Sequence, residues 1–127
     1  MSATTRLFLG LGGLSAMISV LLGAFGAHAL RGRMAPELLV AYQTGTQYQF
    51  YHSLGLLIVA LLLAHFPERS SFAWAGWLML VGIVLFSGSL YVLSLTGIRA
   101  LGAITPLGGL AFIIAWVVLT VTAFRVR

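Results

Sequence analysis

Polar and apolar positions alternate in long blocks along the chain, and the block lengths predict helices that cross a membrane. A nearly unbroken apolar run extends from about Leu7 to Leu30. A second apolar block, Leu54 to Leu63, is preceded by the polar stretch Tyr42-Gln43-Thr44, Thr46-Gln47-Tyr48-Gln49. Two more apolar runs follow, about 72–95 and 105–124. The first and the last two are close to the roughly 20 residues that span a bilayer core, and the second reaches that length with its flanks, about 48–66. The expectation is an all-α membrane protein, with four transmembrane helices in a compact bundle formed by a single domain, 1–127. The spans are placed at about 7–30, 48–66, 72–95 and 105–124.

Local signals punctuate these blocks. Arg31-Gly32-Arg33 closes the first helix. Pro36 suits a first helical turn, and Glu37 complements the positive end of the helix dipole. A helix running from Pro36 to His65 would be about 45 Å long, more than a bilayer core requires. Its polar N-terminal half, about 36–48, is therefore expected at the interface or buried between helices, with Gly45 as a bend. Pro67-Glu68-Arg69-Ser70 breaks the chain, and Trp74 and Trp77 fit an interfacial aromatic belt. Thr105-Pro106 reads as an N-cap and a first-turn proline, with a start near Ala100 as the alternative.

Composition excludes the soluble alternative. Of 127 residues, 61% are hydrophobic and 7% charged, against about 25% charged in ordinary soluble domains. Net charge is +5, but the arginines are scattered, one or two to a loop. That pattern suits topology and anionic headgroups rather than nucleic acid, which needs a clustered basic face. No nucleic-acid partner is expected. With no cysteine, thiolate chemistry and disulfides are absent. Arg6, Arg69, Arg125 and Arg127 fall on one side and Arg31, Arg33 and Arg99 on the other. The excess leans towards both termini in the cytoplasm.

Small residues mark packing faces. Ser15, Ser19, Gly23 and Ala27 recur every four residues, beside Gly12 and Ala16, and are expected to let another helix approach closely. Gly88, Gly108 and Gly109 are read in the same way. Polar side chains at membrane depth are the candidates for a site: His28, Thr44, Tyr48, Gln49, His52, Ser87, Ser89 and Thr105. They admit a polar cavity centred on Tyr48, Gln49 and His52, or hydrogen bonding between helices that locks the bundle. Ser87 is expected to bond Tyr91, four positions on.

No catalytic set is recognisable. A nucleophile needs an adjacent base and an orienting group, and the only acids, Glu37 and Glu68, lie near helix ends. No cofactor is expected; the alternative is haem or a metal held by His28 and His52. The leading expectation is a non-enzymatic module binding membrane lipid, another membrane protein or a second copy of itself. A small carrier or pore between spans one and two is its rival.

Four segments carry a family resemblance: Gly23-Ala24-Phe25-Gly26-Ala27-His28-Ala29-Leu30; Thr44-Gly45-Thr46-Gln47-Tyr48-Gln49-Phe50-Tyr51-His52; Leu85-Phe86-Ser87-Gly88-Ser89-Leu90-Tyr91; and Ile104-Thr105-Pro106-Leu107-Gly108-Gly109. In this order they resemble the small bacterial inner-membrane proteins of the YgdD-like group, domain of unknown function 423. Eukaryotic transmembrane protein 256 is similar. The resemblance implies a multi-pass protein of the bacterial inner (plasma) membrane. It implies no activity and no catalytic residue.

Overall fold

The computed structural model describes residues 1–126, and Arg127 lies outside the described residues. Four long apolar helices make up the bundle: α1 (Ala3–Leu30), α2 (Pro36–His65), α3 (Ser70–Thr96) and α4 (Arg99–Arg125). Each is long and apolar enough to cross a membrane. No strand occurs among the described residues.

Local chemistry sets the ends. The Ser2 side chain accepts the Thr5 N–H at 3.1 Å and caps α1. Pro36 opens α2 with Glu37 in its first turn. Gly97 closes α3 at φ 71°, a left-handed conformation that glycine adopts without cost, and its N–H reaches the Leu93 carbonyl at 2.7 Å. Thr105 departs from expectation. A 3₁₀ turn, Arg99–Ala103, precedes it, and it is the first residue of the α-helical stretch rather than a side-chain cap.

Two π-helical turns interrupt the α geometry, Gly26–Leu30 at the end of α1 and Ile83–Ser87 within α3. Such turns add a residue and re-aim the side chains around them.

α1 packs mainly on α2 and α4 mainly on α3, while α2 and α3 join the two pairs. The centre is therefore α2, in which 44% of an 18-residue apolar stretch is buried against 17% for α1. Its two halves meet different surroundings. Leu56, Val59, Ala60 and Leu63 join Phe8, Phe72, Ala75, Met79 and Ala115 in an apolar core. This core lies towards the end where α1 begins and α4 finishes. The polar half is continuous with the apolar half and turns Tyr42, Thr46 and Gln49 inward, buried between helices. Gly45 is not a break in α2. It is a contact point, where an added Cβ would come within 2.8 Å of the Tyr91 ring.

Among the described residues, Arg6, Arg69 and Arg125 stand at the terminal end and Arg31, Arg33 and Arg99 at the other.

Candidate functional site

The inward polar side chains of α2 form one hydrogen-bonded network with α1 and α3. Gln49 donates through Nε2 to the Ser15 carbonyl at 3.0 Å and to Ser15 Oγ at 3.2 Å. Its Oε1 accepts from the Tyr91 hydroxyl at 2.5 Å. Ser53 Oγ lies 2.7 Å from Ser15 Oγ and 2.6 Å from the Gln49 carbonyl. Ser19 donates to the Thr46 carbonyl at 2.7 Å, and Tyr42 to the Leu22 carbonyl at 2.5 Å. Ser87 donates to the Gly45 carbonyl at 2.7 Å. The expected Ser87–Tyr91 bond gives way to contacts across helices: the glycine lets α3 come close enough for Ser87 to reach its backbone, and Tyr91 turns to Gln49.

A second cluster joins α2 to α4. Trp116 donates its indole N–H to His52 Nε2 at 3.0 Å. An indole only donates, so Nε2 is the unprotonated nitrogen, and Nδ1 carries the proton to the Tyr48 carbonyl at 2.7 Å. The imidazole lies flat on Phe112, with ring centroids 3.5 Å apart and planes within 8°. Tyr48 packs on Phe86 at 4.7 Å. Thr105 bonds Ser89 at 2.6 Å, tying the start of α4 to α3.

Of the candidate positions, Gln49 therefore sits at the centre of the network, with Ser87 bonded to the same helix. His52 and Tyr48 lie in the aromatic cluster, and Ser89 and Thr105 pair on their own. Thr44 turns back on its own helix, bonding the Val40 carbonyl at 2.9 Å. His28 is exposed on the α1 π turn. The bonds Ser15–Gln49, Ser19–Thr46 and Leu22–Tyr42 set an antiparallel register that puts His28 level with Glu37. His52 is fifteen residues further along α2, about 22 Å at 1.5 Å per residue. The two histidines do not face a common ligand within one chain. Among the described residues, no three His, Cys, Asp or Glu side chains come together.

The packing residues also redistribute. Ser15 and Ser19 face α2, as do Gly12, Leu22 and Gly26, and Thr5 and Phe8 continue the line, Phe8 reaching Gly76 and Trp77 of α3; steps of three and four along α1 keep these positions on one seam. Strict four-residue spacing drifts about 40° per step. Gly23 and Ala27 consequently leave the seam: a Cβ at Gly23 meets nothing within 4 Å, and Ala27 is exposed. Gly88 likewise has open space, whereas a Cβ at Gly108 would fall 2.3 Å from the Phe86 backbone nitrogen.

Sequence reasoning missed Trp116 and Phe112. A signal was present: Trp116 stands in the middle of a span rather than at its interface, and an indole N–H at that depth needs a partner.

The family profile described as "Protein of unknown function (DUF423)" matches residues 22–109. The chain belongs to this family. UPF0382 membrane protein YwdK of Bacillus subtilis is 52% identical over 120 residues, covering 94% of this chain and 98% of that protein. UPF0382 membrane protein SH2409 of Staphylococcus haemolyticus is 47% identical over 120 residues, covering 94% and 97%. UPF0382 membrane protein SERP0230 of Staphylococcus epidermidis is 48% identical with the same coverage. No solved structure matches. The DUF423 segment holds both π turns, the Gln49–Tyr91 and Ser89–Thr105 bonds and Gly108. Ser15, Phe112 and Trp116 lie outside it. This DUF423 protein is thus a multi-pass membrane protein whose family segment is centred on contacts of α2 and α3.

Proposed function

We propose that this DUF423 protein is a non-enzymatic membrane module that works through its outer surface, binding lipid or another membrane protein. One observation carries the reading: the polar interior is paired, with no buried side-chain nitrogen or oxygen lacking a hydrogen-bond partner among the described residues. An interior closed in this way leaves the outer face as the place for a partner. That face is grooved. Ile58, Leu62, Phe66, Phe72 and Leu119 line an apolar groove of about 490 Å³, open to the side and suited to acyl chains.

A second reading, a small carrier, draws on a groove of about 240 Å³ between α1 and α2, where Ser19, Thr46 and Gln47 add polar groups. Purified protein in liposomes separates the two. The module reading predicts that a potassium or proton gradient decays no faster than in empty liposomes, and that added phospholipid raises the unfolding midpoint in detergent. A gradient that collapses with added protein supports the carrier instead.

On its bacterial membrane-protein relatives we also place the chain in the bacterial plasma membrane, and on the seven-arginine distribution of the whole sequence both termini in the cytoplasm. An impermeant thiol reagent on intact cells then labels Arg33→Cys and spares Arg6→Cys; the reverse pattern puts the termini outside.

A further inference from the structure

At the terminal end of the bundle, α3 and α4 leave a groove of about 350 Å³ between them. Arg69, immediately before α3, and Arg125, the last residue of α4, both line it, as does Ser71 in the first turn of α3. Val117, Val118 and Val121 continue it along α4. From Arg125 back to Val117 is eight residues, about 12 Å along the helix towards the middle of the span. Among the described residues no carboxylate lines the groove, and Glu68, although adjacent to Arg69 in the chain, is not part of its wall.

We propose that this groove binds an anionic phospholipid, with the phosphate between Arg69 and Arg125 and an acyl chain along Val117, Val118 and Val121; the proposal rests on the lipid-binding reading above. The arrangement of charge selects the ligand. Guanidinium groups present planar arrays of donors that match phosphate oxygens. Here both stand at the depth where a helix leaves the bilayer, which is headgroup depth. The wall below them is mostly valine, with the Thr122 hydroxyl turned back to the Val118 carbonyl; a soluble anion has no use for it and a lipid tail fills it. Basic residues beside an anionic leaflet each strengthen attachment severalfold. Two of them over one apolar groove localise that attraction to a single lipid. The groove on the other side of α4 has a similar apolar wall but no charged residue in it.

Native mass spectrometry of the full chain, given equal amounts of phosphatidylglycerol and phosphatidylcholine, tests the site. The wild type retains phosphatidylglycerol preferentially. The Arg69→Gln/Arg125→Gln variant, with an unchanged unfolding midpoint in lipid-free detergent, loses that preference by about tenfold. Arg31→Gln/Arg33→Gln, at the opposite end, keeps it. An excess of inorganic phosphate leaves the bound lipid in place. A preference that survives in the first variant overturns this site while leaving lipid binding intact, as does one that is lost in the second. Displacement by phosphate also overturns it, because the site then takes a soluble anion. Retention of neither lipid by the wild type overturns the lipid-binding reading itself.

Discussion

Replacing Gly108 with alanine is expected to cost about 3 kcal/mol of stability, a large effect for one methyl group. An added Cβ would lie 2.3 Å from the Phe86 backbone nitrogen and 2.8 Å from its Cα. Phe86 belongs to the π turn of α3, so the obstacle is main chain and cannot rotate away. The helices must separate, and the Ser89–Thr105 hydrogen bond, which crosses the same contact, is stretched with them. Neighbouring glycines supply the controls. A Cβ at Gly109 would meet the Phe86 ring at an ordinary 3.7 Å, and one at Gly88 would meet nothing within 4 Å. Gly109→Ala and Gly88→Ala are expected to stay within about 0.5 kcal/mol of the wild type. Unfolding in mixed detergent micelles measures all three. A Gly108→Ala protein as stable as the controls would show that α3 and α4 do not approach in this way.

Gln49→Leu is expected to cost about 2 kcal/mol. Hydrogen bonds between membrane helices average roughly 0.6 kcal/mol, with a maximum near 1.7, but this side chain holds three partners at once. Its loss leaves the Tyr91 hydroxyl without its acceptor and the Ser15 carbonyl and hydroxyl without their amide donor. Tyr91→Phe alone should cost less, because Gln49 keeps its bonds to Ser15. In the double variant the orphaned tyrosine hydroxyl is gone, so the two losses should sum to more than the measured value by about 1 kcal/mol. Strict additivity would mean that Gln49 and Tyr91 do not share a bond.

Much of the fold could be read from the sequence because the bilayer permits few solutions. Backbone groups in hydrocarbon must pair within a helix, so apolar runs of the right length, Pro36 and the Pro67 break were enough to place four helices. Less of the site could be read, because a list of polar residues does not say which neighbour each one meets. Gln49, His52, Ser87, Ser89 and Thr105 were recognisable as polar groups at membrane depth. Their partners depended on features that hydropathy does not carry. The π turn at Ile83–Ser87 accompanies Ser87 meeting Gly45 rather than Tyr91. The heptad-like seam of α1 takes in Gly12 and Gly26 and leaves Gly23 and Ala27 outside. Composition left the polar half of α2 either at the interface or buried between helices. Its inward side chains are satisfied by α1 and α3, the second of those alternatives, which a residue count along one helix cannot distinguish from exposure to headgroups.

The central claim is that the polar interior is closed and dry, and the chain's lack of native cysteine makes it directly testable. Ser53 is 0% exposed at the heart of the network, and Ser53→Cys changes its size little. Opened membranes carrying this variant, treated with a water-soluble maleimide, should show no labelling until dodecyl sulfate unfolds the protein. Arg6→Cys and Arg33→Cys in the same membranes should react within minutes. Labelling of Ser53→Cys in the folded protein at a rate near those of the two controls would reveal a water-filled cavity between α1 and α2 and contradict the account.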